Sequence, residues 1–259
     1  MKNITVLIPI HKINEDYKEM LNKALESVED FHNDVKVSLV CPAEVKKELT
    51  NLSDKLEINF VVNKGETDFC SQVNLGIEKC DTEWFTILEV DDQFKSIWLK
   101  SINDYRKIYS DVDVFLPIVK DINSEGTFVS FTNESAWAYG FTDMQGFIDN
   151  EVLLEYQNYQ ISGGLYRTQK IKDNGSLKEN IKLTFGYEFL LRLTHNGVRV
   201  MTVPRVGYQH VNLREDSLFW LYKNDENSLL SEKEVKFWLD SAKKEFFFKN
   251  KRDVNYTEA

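Results

Sequence analysis

The first half of the chain alternates between two hydrophobic periods. Ile4 to Ile10 is an apolar run that predicts a buried strand, while Met20, Leu21, Ala24, Leu25 and Val28 recur at helical spacing within Tyr17 to Val28. Val35 to Cys41 predicts a second strand, and Pro42, suited to a first helical position, predicts a helix through Leu52. Leu56 to Val62 predicts a third strand, Asp68 to Lys79 a helix, Trp84 to Glu89 a fourth strand, Ile97 to Tyr109 a helix and Val112 to Ile118 a strand. Strands and helices that alternate across short connections imply parallel strands with right-handed crossovers. The expected class is therefore α/β, with a Rossmann-like, mostly parallel central sheet and helices on both faces.

The pattern then loosens. Residues 120–160 are rich in aromatic and small residues without a clean period, which fits either a pocket wall or a core under irregular loops. Regularity returns with Gln160 to Tyr166 and with a helix from Leu183 to His195 ended by Asn196-Gly197. A strand from Val198 to Val203, stopped by Pro204, and a short strand from Val206 to His210 follow. Glu232 to Phe248 predicts an amphipathic helix with Val235, Trp238, Leu239, Ala242 and Phe246 on one face. There is no repeat or low-complexity linker. Three portions are expected, 1–110, 111–218 and a helical extension, 219–259.

The fourth predicted strand ends in Leu88-Glu89-Val90-Asp91-Asp92. An apolar strand that runs into three carboxylates places negative charge at the carboxyl edge of the sheet, where open α/β sheets bind ligands. Such carboxylates repel one another unless a cation or several donors sit among them, so the motif suits a hard divalent ion holding a phosphorylated ligand. A solvated acidic turn is the plainer alternative.

Composition narrows the setting. A formal charge of −10 argues against a broad basic surface for bare nucleic acid. The one basic aromatic cluster, Lys243, Lys244, Lys249, Lys251 and Arg252 around Phe246 to Phe248, reads first as a helix that buries its rings and solvates its lysines. Cys41, Cys70 and Cys80 lack metal-ligand spacing and read as reduced packing thiols. The opening apolar run is too short for a secretory segment and no run reaches membrane-span length, so a cytoplasmic protein without a membrane anchor is expected.

The order of motifs resembles the family 2 glycosyltransferases of the GT-A fold. Val6 to Lys12 resembles that family's opening strand and proline turn, Asn63-Lys64-Gly65 and Asn74-Leu75-Gly76-Ile77 its paired N-x-G stretches, and Glu89-Val90-Asp91-Asp92 its D-x-D-D. Gly163 to Arg167, Gly175-Ser176-Leu177, Tyr187 to Leu193, Gly197 to Val200, Val203-Pro204 and Tyr208-Gln209-His210 with Arg214 and Ser217 continue it. The likeness spans about residues 3–218. It departs at Glu89, which replaces an Asp, at Val40 to Glu44, which lack the aspartates that contact the base, at Val73, where an Arg is common, and at Phe185-Gly186, which stand where many members carry Glu-Asp.

The resemblance implies transfer of a sugar from a nucleotide-diphosphate donor, a UDP-sugar first among them, to a hydroxyl acceptor, with inversion. It makes 1–110 the nucleotide-sugar portion and 111–218 the acceptor-side portion. Asp91 and His210 are the expected ligands of Mn2+ or Mg2+, with Glu89 reaching the ribose or a metal-bound water, and Asp92 either orienting a ligand or capping the next helix. Pro9, Ile10, His11, Lys12, Asn63, Lys64, Gly65, Asn74 and Gly164 are expected about the donor, and Arg214 and Ser217 at its phosphates. Glu188 is the expected general base, with Asp143 and Glu179 in reserve and an i, i+4 salt bridge to Arg192 as the plain alternative.

The acceptor is left open between a glycan and a hydroxylated base in modified DNA, the second favoured only by the basic aromatic tail. A nucleotidyltransferase and an inactive binding module of the same fold are the rival classes. The first lacks its usual Gly- and Lys/Arg-rich loop at Ile10 to Glu15.

Overall fold

The computed structural model describes residues 2–50, 52–65, 67–138, 144–212, 214–215, 217–224 and 232–249. The chain runs β1 (Ile4–Pro9), α1 (Glu15–Glu29), β2 (Val35–Pro42), α2 (Ala43–Glu48), β3 (Ile58–Asn63), α3 (Phe69–Lys79), β4 (Trp84–Ile87), β5 (Gln93–Phe94), α4 (Ile97–Ile108) and β6 (Val114–Ile122). It continues with β7 (Phe128–Thr132), a 3-10 turn (Glu134–Trp137), β8 (Phe147–Ile148), α5 (Asn150–Glu155), β9 (Leu165–Arg167), α6 (Thr168–Asn174), α7 (Phe185–His195), β10 (Val200–Val211), α8 (Leu218–Asn224) and α9 (Glu232–Lys249).

One sheet carries every described strand, in the order β3-β2-β1-β4-β9-β6-β10-β5, with β7 beside β6 and β8 beside β10. The first four strands are parallel, β6 and β10 are parallel to each other, and the short β9 lies antiparallel between β4 and β6. All the long strands except β7 therefore deliver their carboxyl ends to the same edge.

Strand β1 shows why helices cover both faces. Its alternate residues Ile4, Val6 and Ile8 belong to the same apolar layer as Tyr17, Leu21 and Leu25 of α1 and Trp98 and Leu99 of α4. Leu7 points the other way, into the layer that holds Cys70, Val73 and Ile77 of α3 and Phe189 and Leu190 of α7. Each such side chain gains about 1.5–3 kcal/mol on leaving water, so two apolar layers hold the sheet between them. The three cysteines are free and buried, as packing thiols should be. Among the described residues no helix is long and apolar enough to cross a membrane.

Several local expectations are corrected. Pro42 closes β2, still paired with Asn63, and the helix after it stops at Glu48 rather than Leu52, because Leu49 is already extended. Pro204 does not stop a strand: β10 runs unbroken from Val200 to Val211, with register shifts between Val203 and Val206 and again before Tyr208. A bulge is where a residue without an N–H fits a sheet interior. The loosely patterned residues 120–160 hold β7, β8 and α5. In β7, Phe128, Val129 and Phe131 are exposed, which inverts the rule that apolar residues face inward. The tail helix forms as expected and packs Ala242 against α7, while Phe246 to Phe248, Lys251 and Arg252 lie outside the residues whose side chains are described.

Candidate active site

At the carboxyl edge of β4 the chain turns through Glu89 to Asp92. Asp92 caps no helix, since α4 begins at Ile97 behind Ser96. It is buried instead, accepting the Val211 N–H on Oδ1 at 2.8 Å and pairing through Oδ2 with His210 Nδ1 at 3.0 Å. Both bonds reach the end of β10, so one carboxylate fixes the imidazole and ties the strand end to the acidic turn.

Glu89 is held from two sides. Ser162 Oγ donates to its Oε1 at 2.6 Å, and its backbone N–H donates to the Tyr208 hydroxyl at 3.0 Å. Tyr208 is wholly buried against Gly163, whose φ of +80° belongs to the left-handed region and where a Cβ would come within 2.5 Å of the ring. The Gly163-Gly164 pair thus lets the loop before β9 close on the ring that positions Glu89. A Cβ on Gly164 would meet the Tyr166 hydroxyl at 2.6 Å, so this glycine serves close packing.

Ligand atoms of Glu89, Asp92 and His210 lie within 4.8 Å of one another. Two carboxylates and one imidazole form an oxygen-rich set that suits Mn2+ or Mg2+. Because Nδ1 is engaged by Asp92, Nε2 is the imidazole atom left for a ligand, the arrangement usual for a metal-bound histidine. The residues present fit a hard divalent ion.

The charges here favour a cation, and a metal ion at Nε2 would displace the proton that His210 otherwise holds. Burial, then the charges of Asp92 and Asp91, raise the Glu89 pKa to about 7. Burial alone would lower that of His210, but Asp92, Glu89 and Asp91 more than reverse this and hold it at about 10. Asp91 is raised by burial and by Asp92 although Arg214 opposes the shift. The corner concentrates negative charge that a cation would relieve.

Asp91 stands slightly apart from this trio. Its Oδ2 accepts from Arg214 Nε at 2.8 Å, and the same guanidinium lies over the Tyr17 ring and donates to the Tyr17 hydroxyl at 3.3 Å. Tyr17 in turn meets His11 Nε2 at 3.3 Å and has Lys12 Nζ over its ring.

Several of these groups face a cleft of about 870 Å³ at the sheet edge. Pro9, His11, Glu89, Asp91, His210, Arg214 and Ser217 line it, and so do the rings of Phe69, Tyr156, Tyr159, Phe185 and Tyr222. Ile10, Lys12, Asn63, Lys64, Gly65, Asn74 and Gly164 do not line it. Asn63 makes a turn by accepting the Gly65 N–H at 2.9 Å, and Asn74 clamps the Leu177 backbone through both its amide atoms.

Glu188 is also away from the cleft. It is 1% exposed and paired with both Arg192 Nε at 2.9 Å and Lys178 Nζ at 3.1 Å. Arg192 continues to the carbonyls of Asn174, Gly175 and Ser176, so the pair braces the turn after α6. Of the reserves, Glu179 bonds Asn74 and Asp143 lies outside the described residues. One lining carboxylate has no signal in the sequence: Asp121 at the end of β6, which sits in an apolar strand with no motif around it.

The same architecture occurs in S. aureus TarS. Its residues 1–349 match at a TM-score of 0.64 and 17% identity, over 99% of this chain and 74% of that one. The fold is GT-A. Two further GT-A structures are TarS 1–349 in complex with UDP-GlcNAc, at a TM-score of 0.65, 16% identity and 95% and 72% of the two chains, and with UDP, at 0.62, 17%, 95% and 71%. Identity this low makes the likeness one of fold. No family model matches the sequence, and no curated protein does.

Proposed function

We infer that this chain is an inverting, metal-dependent glycosyltransferase that moves a sugar from a UDP-sugar to a hydroxyl. The observation that carries the reading is the Glu89, Asp92 and His210 trio at the carboxyl edge of a GT-A sheet, of which Glu89 and His210 line a cleft. TarS, with the same fold, was crystallised with UDP-GlcNAc and with UDP, which supports a uridine donor here.

Glu89 and His210 Nε2 would hold Mn2+ or Mg2+, with Asp92 orienting the imidazole. Such an ion supplies charge neutralisation to a departing diphosphate. Asp91, the ligand expected from the sequence, would join it by exchanging Arg214 for the ion. Pro9 and His11 line the nucleotide end, while Arg214 and Ser217 face the same space and suit phosphate oxygens. Attack from the side opposite the diphosphate inverts the anomeric carbon.

Residues 1–110 then form the donor-binding portion, 111–218 the acceptor side and 219–259 an extension of it. The aromatic share of the lining favours a glycan acceptor, because sugar rings pack their C–H faces on such side chains. A cytoplasmic setting fits a donor made in that compartment.

A thermal-shift screen of UDP-, GDP- and dTDP-sugars with and without Mn2+ tests the reading. A donor that binds only the native state raises its stability by mass action, about 2.7 kcal/mol at a hundredfold excess over Kd. A metal-dependent shift with a UDP-sugar is expected; no shift with any donor would defeat the proposal.

A further inference from the structure

An inverting transfer needs a carboxylate or imidazole facing the acceptor, and the amino end of α7, where the resemblance expects an acidic pair, offers Phe185 and Gly186. Among the described residues three carboxylates line the cleft: Glu89, Asp91 and Asp121. Glu89 belongs to the cation trio and Asp91 is held by Arg214. His11 and His210, the lining imidazoles, meet Tyr17 and Asp92.

Asp121 is placed differently. It stands in register with His210 on the neighbouring parallel strand and with Ser130 on the antiparallel β7. In-register residues of adjacent strands leave the sheet on the same face, about 4.8 Å apart, so Ser130, Asp121 and His210 form a row on the floor of the cleft. Asp121 is 4% exposed. Its Oδ2 accepts from Ser130 Oγ at 2.9 Å and from Thr132 Oγ1 at 2.5 Å. Two donors on one oxygen fix the carboxylate plane and leave Oδ1 for the cleft.

We propose that Asp121 is the general base, a step that rests on the transferase reading above. Oδ1 takes the proton of the acceptor hydroxyl while that oxygen's electron pair forms the new bond to the anomeric carbon. The bond from that carbon to the diphosphate oxygen breaks, and its electron pair leaves with the nucleoside diphosphate. The proton on Asp121 then passes to solvent, which restores the carboxylate. Ser130 and Thr132 are positioning residues, acting through Asp121.

The test compares wild type with Asp121→Asn, using UDP-GlcNAc and the other sugar nucleotides with Mn2+, and reading both thermal shift and release of nucleoside diphosphate to water as acceptor. The amide keeps the size and the acceptor oxygen, so unliganded stability and the donor-induced shift should match wild type. Release should fall about 10²–10⁴-fold, with KM for donor little changed. Release within threefold of wild type, loss of donor binding, or a wild type that binds donor without releasing diphosphate would each overturn the assignment. A wild type that binds no donor would instead defeat the underlying transferase reading and this step with it. Should Asp121→Asn fail to fold, Ser130→Ala with Thr132→Val decides: a lowered kcat at constant donor KM is expected, and an unchanged kcat counts against the base.

Discussion

Arg214 reaches from the segment after β10 to Asp91 after β4, Nε to Oδ2 at 2.8 Å, with both side chains about 10% exposed. The pair joins residues 123 positions apart across the mouth of the cleft. Breaking a buried pair strands one charge, which typically costs about 3–5 kcal/mol. Arg214→Ala should therefore lower stability by about 3 kcal/mol in urea denaturation, and Asp91→Asn added to it should recover part of that loss. Additive losses in the double variant would show the two side chains to be uncoupled.

The link from Asp92 to His210 predicts a metal phenotype. A carboxylate that orients a ligating imidazole is worth about 10–100-fold in metal affinity. Asp92→Asn should weaken Mn2+ binding by that factor in titration calorimetry with UDP present. Unchanged affinity would reduce this contact to an ordinary buried ion pair.

Glu188 carries the opposite expectation. It is paired with Arg192 and Lys178 behind the wall of the cleft, so Glu188→Gln should act on stability rather than turnover. A loss of roughly 2–3 kcal/mol is expected, less than for an isolated buried pair because Arg192 keeps three backbone carbonyls. A large fall in kcat without loss of stability would bring Glu188 back to the chemistry.

Gly163→Ala tests the seat of Tyr208. The substitution adds a Cβ at a φ of +80° and at 2.5 Å from the ring, so both backbone strain and overlap oppose it. A cost of about 2–4 kcal/mol is expected from the two together, measured as a lowered denaturation midpoint. Near-neutral behaviour would mean that Tyr208 shifts freely and does not fix Glu89.

Burial pushes the Cys41 thiol up to about 11 and that of Cys70 up to about 12. Only a thiolate reacts readily, so neither should be modified quickly by a disulfide reagent in the native state at about pH 8. Three thiols should titrate once urea unfolds the chain. Rapid native labelling at either position would contradict the burial of these thiols in the two apolar layers.

Much of the architecture could be read from the chain because it depends on local signals. The apolar runs of β1 to β4 and the helical spacing of α1, α3 and α4 stand almost where periodicity puts them. The carboxylates after β4 could be read for the same reason, being contiguous. What escaped depends on contacts between distant residues. Nothing around Asp121 hints that Ser130 and Thr132 will turn toward it, and nothing around Glu188 shows that Lys178 will join Arg192 in covering it. Strand β7 was hidden because its apolar side faces out, and the continuity of β10 because a proline inside a strand reads as its end until the bulge is seen.

Strand β10 sits inside the sheet, between β6 and β5, although it is made late. During synthesis the flank of β6 waits open while nearly eighty residues emerge from Ile122 to Val200. The imidazole reaches the acidic turn only when this last partner docks, so a nascent or truncated chain carries the carboxylates without their histidine. The corner at the sheet edge is thus built from residues 118 positions apart, and synthesis supplies its two halves at different times.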